Sequence, residues 1–395
     1  MTNTNFHEKI VLTLSFLILN NYLLLCFDLP QIIIKTNFFI FLFFIVFFYF
    51  KNFSENIFLK LFFALIILIS LGTPTYEWDP RSIWLFHAKR IFYEGSIFSV
   101  LDNYAEFSHN DYPTLVPALS ASLATIVGHW NEVFPKLSFT FMFLPPLILV
   151  FSFFKNTQYL IFLYIVFFVI GKYLFNGWAD GLVAVYFCIS AFLMYTLVIE
   201  NTNHYKKNII YFLIALCFFA SLTLIKNEGT ALLLVIFFTT FLIKLFKREI
   251  MVDLPKILLL LCSFLPIILW KSFCYSKGVG YNDYINSNIL FNLLPRLTDL
   301  NNYKLVFYFL LLNEKLLICL IFFLLSFWIK WNKQIFIFIS IIFLAYIFIL
   351  FLIFLSTPYD LYWQLNSTAA RVIKSLSFLF AFFALYNLRN WQISR

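Results

Sequence analysis

The chain has 395 residues, of which 63% are hydrophobic and only 12% charged. That is far more apolar surface than one water-soluble core can bury, and runs near the roughly 20 residues that cross a bilayer recur along the chain. The net charge of +9 is spread over short connections with no basic block or basic-aromatic groove, so nothing indicates a nucleic-acid partner.

The expected fold is all-α: a polytopic membrane protein of about twelve transmembrane helices, one integral-membrane domain over 1–395. Apolar runs lie near 10–27, 32–50, 57–73, 138–154, 158–175, 181–199, 209–225, 230–244, 257–273, 307–329, 335–355 and 371–388. The first run has a weak basic start and no small-residue cleavage site, so it reads as a retained span rather than a signal peptide. The 57 Phe residues carry little functional signal, because lipid solvates Phe and Leu alike and an AT-rich coding sequence favours Phe. The six cysteines (Cys26, Cys188, Cys217, Cys262, Cys274 and Cys319) lie in or near apolar runs without paired spacing. They indicate neither a disulfide framework nor a zinc site.

With the N-terminus inside, the inner connections hold Lys51 to Lys60, Lys155, Lys206-Lys207, Lys244 to Lys256, Lys330 to Lys333, and Arg389 and Arg395 in the tail. Bases outnumber acids there, as the positive-inside rule expects. Most acids, from Glu77 and Asp79 through Asp111, Asp180, Glu228, Asp283 and Asp360, fall on the outer connections. Function is therefore expected on the outer face, with both termini cytoplasmic. Asn313-Glu314-Lys315 interrupts the tenth run, so 303–312 is expected to lie along the outer interface and the crossing to start near Lys315.

Residues 74–137 form the longest polar segment, an extracytoplasmic loop in which two interfacial helices are expected. Asp79 can cap a helix beginning at Pro80, with Ile83, Trp84, Ala88, Ile91 and Phe92 as an apolar stripe opposite Arg81, Lys89 and Arg90. A second helix starts after Tyr112-Pro113 and runs through Leu115 to Val127. Its Ala118, Ser120, Ala121 and Ala124 are small enough for close packing, and the pair is expected to roof a cavity from the membrane surface.

Four short polar signatures stand among the apolar runs: Glu77-Trp78-Asp79-Pro80, Gly177-Trp178-Ala179-Asp180, Lys226-Asn227-Glu228-Gly229 and Tyr359-Asp360-Leu361-Tyr362-Trp363. All four fall on the expected outer face and point to one composite site. The first three, taken in order with Trp84, Lys89, His109-Asn110-Asp111-Tyr112-Pro113 and Arg371, resemble bacterial membrane glycosyltransferases of the GT-C fold, which are related to protein O-mannosyltransferases and to the aminoarabinose transferases of lipid A. The resemblance covers about three quarters of the chain in order. It departs in having three spans before the loop, and in having Glu77 and Asp79 separated by Trp78 where the family often has paired acids.

The resemblance implies a polyprenyl-phosphate sugar as donor, a lipid or protein acceptor, and a bacterial inner membrane. Such transfer needs a carboxylate to take the acceptor proton and cations to stabilise the departing phosphate. Asp79 is the candidate base, with helix capping as its plain alternative, and Glu77 is the second candidate. Lys226 and Arg371 are candidates for the donor phosphate, although Lys226 can simply pair with Glu228 and Arg371 can snorkel to headgroups. Asp180 can serve substrate or merely complement a helix dipole. Asp111 and Tyr112, in an exposed turn, are candidates for touching substrate, and Lys89 is a secondary cation. Trp178, Tyr362 and Trp363 can stack on a sugar or anchor the interface. A divalent metal stays open because Asp79 and Asp111 can jointly ligate one. The glycosylation patterns at Asn52-Phe53-Ser54 and Asn366-Ser367-Thr368 carry no weight.

Two other readings remain. A polysaccharide polymerase or ligase also uses lipid-linked sugars, but would carry its large loop late in the chain. A transporter or flippase should show internal repeats and midplane ionisable groups, and no convincing repeat is found.

Overall fold

The computed structural model describes residues 4–51, 57–200, 209–279 and 289–389. Lys206-Lys207, Asp283, Arg395 and the Asn52-Phe53-Ser54 pattern lie outside the described residues. Among those described, the fold is all-helical, with no strand.

The first three helices are α1 (Thr4–Cys26), α2 (Gln31–Phe50) and α3 (Ile57–Gly72). The long loop holds a π-helical turn, Pro80–Trp84, running into α4 (Leu85–Glu94), and then α5 (Leu115–Val127). There follow α6 (Leu137–Met142), α7 (Leu144–Phe151), α8 (Asn156–Ile170), α9 (Asp180–Met194), α10 (Ile209–Ile225) and α11 (Asn227–Phe246). The remainder comprises α12 (Ile250–Leu261), α13 (Leu265–Ser276), α14 (Ile289–Thr298), α15 (Leu300–Leu311), α16 (Glu314–Ile329), α17 (Lys333–Ser356), α18 (Leu361–Val372) and α19 (Lys374–Leu388).

Eight helical stretches among the described residues are long and apolar enough to cross a membrane, or nine if the bent pair α15–α16 is one crossing. The expected runs at 57–73, 138–154 and 209–225 form shorter apolar helices. The second of these is broken at Phe143 because Pro145 and Pro146 lack the N–H groups that would continue the hydrogen-bond ladder from α6. The bend between α15 and α16 is 66° and falls where Asn313-Glu314-Lys315 interrupts the apolar run. Asn313 caps α16 by accepting from the Leu316 amide at 3.2 Å, and Lys315 Nζ donates to the Phe168 carbonyl at 2.8 Å.

α9 is the axis of the bundle. Every residue from Asp180 to Ile199 is buried, against α10, α11 and α19, as expected for a helix apolar all round. With the π-helical turn Tyr195–Ile199 that continues it, α9 makes a twenty-residue stretch that separates Asp180 from Glu200 by about 30 Å. At the Glu200 end, Arg389 pairs with Glu200 at 2.9 Å and Tyr386 donates to it at 2.7 Å. The Asp180 end carries the site.

Two features of the long loop differ from expectation. α5 is not a surface helix: Leu115 through Ala124 are buried, and the helix is inserted among α1, α2, α4 and α6. Its small residues make this possible. Ser120 hydrogen-bonds Ser138 of α6 at 2.5 Å, and Ser122 accepts from Asn21 of α1 at 2.9 Å. Nor does Asp79 cap a helix, since it makes no capping hydrogen bond to the Pro80 turn.

The α10–α11 junction depends on a missing side chain rather than on an unusual backbone. A Cβ at Gly229 would lie 1.9 Å from the Leu222 carbonyl oxygen, so only glycine lets the start of α11 lie against the end of α10. That close approach fixes Lys226, Asn227 and Glu228 beside the first residue of α9.

Candidate functional site

Each charged group sits where a helix end puts it. Asp180 opens α9 and Glu228 lies in the first turn of α11, both at the positive end of a helix dipole. Arg371 lies in the last turn of α18, at the negative end. Lys226 stands in extended backbone just before α11, and Asp79 immediately precedes the Pro80 turn.

These ends meet around Asp180, which is 4% exposed. Lys226 Nζ binds its Oδ1 at 2.8 Å, and Arg371 Nη2 binds its Oδ2 at 3.0 Å. The same Arg371 nitrogen also pairs with Asp79, so one guanidinium bridges the long loop and the axial helix. Lys226 further approaches Glu228 at 3.6 Å, and Glu228 accepts a 2.5 Å hydrogen bond from Tyr346 of α17. Tyr346 lies ten residues, about 15 Å, before the end of α17 at Ser356. The cluster is therefore sunk into the bundle relative to that helix end.

Arg371 also lies over the Trp178 ring, 4.0 Å from its centroid. The left-handed backbone at Gly177 (φ 87°) brings Trp178 to that position. Trp178 packs against Tyr173 at 5.5 Å, and Lys374 stands 4.3 Å over the Tyr173 ring. Lys374 lies within electrostatic reach of Lys315, Arg371 and Lys172 as well as of Asp180. Several cations thus gather where α8, α16 and α19 meet. The Trp178 indole N–H and the Asn176 side-chain NH₂ are buried beside them with no hydrogen-bond partner among the described residues. Orphaned buried donors are rare and costly, and a bound polar ligand would satisfy them.

A second cluster centres on Asp111. Its carboxylate accepts from Asn227 at 2.9 Å and pairs with Lys271 of α13 at 3.2 Å, while its carbonyl accepts from the Trp270 indole at 2.9 Å. Asn227 follows Lys226 directly, so the two clusters adjoin. The 104–112 turn is held from below by His87 of α4, whose Nε2 meets the Ser108 carbonyl at 2.9 Å. Burial pushes the His87 imidazole down to about 4, so it is neutral at pH 7.

The expected residues therefore divide. Asp79, Asp180, Lys226, Glu228 and Arg371 form one ion-paired cluster, with Asp111 in the adjoining one. Tyr112 stacks on His109 at 4.7 Å and flanks Trp84 at 5.9 Å. Glu77 stands apart, paired with Lys172 at 2.7 Å. Lys89 is exposed in a separate cavity with Arg81. Of the four signatures, three converge and the fourth does not. Asp360 caps α18 by accepting from the Trp363 amide at 2.8 Å, while Tyr362 and Trp363 remain exposed. The fourth signature thus starts the helix whose other end carries Arg371.

Lys226 and Arg371 are each held by two carboxylates, and Lys374 stands beside them with no ion-pair partner among the described residues. One expectation loses its geometric support. Asp79 and Asp111 pair with different cations, and no group of three or more His, Cys, Asp and Glu side chains able to hold a metal occurs among the described residues. Sequence reasoning missed Lys172, Lys271 and Tyr346. For the two lysines a signal existed, since each is a cation at the acid-rich end of its run, against the positive-inside tendency.

No protein-family model, curated protein or solved structure matches the chain.

Proposed function

We propose that this protein is a membrane glycosyltransferase that moves a sugar from a polyprenyl-phosphate carrier to a cell-envelope lipid or protein at the outer face of a bacterial inner membrane. In this reading the chain crosses the bilayer about twelve times, with both termini cytoplasmic and the Asp180 end outward. The observation that carries it is the bridge Asp79–Arg371–Asp180 over Trp178: a loop carboxylate beside a phosphate-compatible guanidinium, largely buried at one end of the bundle.

The chemistry follows from competition for one cation. An incoming donor phosphate displaces Asp79 from Arg371, because a guanidinium binds phosphate bidentately. The freed Asp79 carboxylate then takes the proton of the acceptor hydroxyl. The acceptor oxygen bonds to the anomeric carbon from the face opposite the phosphate while the carbon–phosphate oxygen bond breaks, giving inversion. The electron pair leaves with polyprenyl phosphate, whose charge Arg371 and Lys374 offset. Asp180 and Lys226 keep Arg371 oriented throughout.

Reconstituted wild type and Asp79→Asn, incubated with polyprenyl-phosphate sugars and extracted envelope glycolipids, test the reading by mass spectrometry of sugar transfer. Loss of roughly 10²–10⁴-fold in rate is expected for removal of a general base. Full activity in Asp79→Asn refutes that role. Lipid flipping by the wild type without any transfer replaces the enzyme with a flippase or transporter.

A further inference from the structure

The cavity that holds Lys89 does not belong to the ion-paired cluster. It measures about 370 Å³, within the roughly 300–1,000 Å³ usual for ligand sites. Its walls come from the residues around the Pro80 turn, from α4, and from the loops around Phe107 and Trp130. Tyr76, Trp78, Phe107 and Trp130 present aromatic rings, and Arg81 and Lys89 supply two cations. Neither cation has an ion-pair partner among the described residues, in contrast to Arg90 on the same helix, which pairs with Asp102 at 2.7 Å. Trp78 is 53% exposed and Phe107 60%, with ring centroids 6.4 Å apart, a large uncovered aromatic surface for a loop. The Trp130 indole N–H is buried without a hydrogen-bond partner.

We infer that this cavity binds the head group of the acceptor, and that the head group is a phosphorylated saccharide. Aromatic faces stack on the apolar C–H faces of sugar rings, and unpaired Arg and Lys side chains select an anionic substituent. One acid, Glu132, also lines the cavity, placed to accept from sugar hydroxyls. The position fits transfer: Trp78 lines the cavity while the next residue, Asp79, pairs with Arg371. Residues 78–79 therefore separate an acceptor pocket from the donor cations, with the candidate base at the divide. The word acceptor rests on the transferase reading; the saccharide phosphate site does not.

The test uses the full chain in nanodiscs of zwitterionic lipid and follows tryptophan fluorescence on titration with glucose 1-phosphate, glucose or inorganic phosphate. Glucose 1-phosphate is expected to bind at least tenfold more tightly than either fragment. Arg81→Gln with Lys89→Gln, and separately Trp78→Ala, should each weaken it about tenfold or more. Arg371→Gln removes the competing donor-phosphate site, and the losses in the Arg81/Lys89 and Trp78 variants should persist in that background, which separates the pocket from the donor cations. Inorganic phosphate binding as tightly as the sugar phosphate, or affinity unaltered in the Arg81/Lys89 and Trp78 variants, overturns the proposal, as does absence of binding by correctly folded protein. Binding that behaves as expected in a protein without transfer activity sustains the pocket and removes only the transferase reading.

Discussion

Asp180 shows how a membrane bundle tolerates a buried carboxylate. Alone, an ionised group at that depth would cost several kcal/mol; here two cations from distant helices bind its two oxygens. Removing it leaves Lys226 and Arg371 buried with fewer partners, which is more damaging than losing the pair outright. Asp180→Ala should therefore destabilise the protein by about 3–5 kcal/mol, read as a lowered melting temperature in detergent. Adding Lys226→Met should restore part of the loss. A melting temperature equal to wild type in Asp180→Ala would show that the cluster does not hold the bundle together. Glu77–Lys172, with its lysine exposed and its carboxylate only half-buried, is the contrasting case, where a pair near the surface contributes about 0–1 kcal/mol.

At the scale of elements, α4 shows an amphipathic helix whose polar face was legible and whose buried face held a surprise. Ile83, Trp84, Ala88 and Ile91 are buried and Arg81 and Lys89 exposed, as the periodicity requires. His87 falls on the buried side and ties the helix to the 104–112 turn that carries Asp111. Burial keeps it neutral when folded and lowers its pKa to about 4, whereas the unfolded chain takes up a proton near 6.5. Between these values the unfolded state binds more protons, so stability is complete above about pH 6.5 and falls as pH drops towards 4, levelling off below. The loss reaches roughly 3 kcal/mol. Melting temperatures of wild type and His87→Gln from pH 7.5 to 4 measure it: the variant should lose this part of the acid dependence, and parallel curves would contradict the assignment.

At the scale of the whole molecule, the two ends of the bundle are chemically distinct. The Asp180 end gathers acids from Glu77 to Asp360 around cations such as Lys226, Lys271 and Arg371, while the other end carries Lys247 and the pairs Lys244–Glu249 and Arg389–Glu200. The proposed orientation, with the Asp180 end outward, rests on the positive-inside rule. In a cysteine-free background, Lys89→Cys and Tyr362→Cys should react with an impermeant maleimide applied from outside, and Lys247→Cys only after permeabilisation. Reversed labelling would invert the topology and with it the proposed use of a lipid-linked donor at the outer leaflet.

The sequence by itself determined what depends on neighbours within a few turns. Run length and apolarity specified the helices, Asn313-Glu314-Lys315 marked the 66° bend, and the spacing in α4 specified its two faces. It also picked out the motifs bearing Asp79, Asp180, Lys226 and Arg371, because polar residues in an apolar chain are conspicuous. Only the tertiary structure decided that Asp79 meets Arg371 rather than capping its own helix, that α5 is buried, and that the signature at Asp360 ends as a cap. The reason is that a charge in a bundle takes whichever partner the packing brings within about 3 Å. Arg371 and Asp79 are 292 residues apart, and their meeting depends on contacts such as Gly229 on Leu222, which no local pattern encodes.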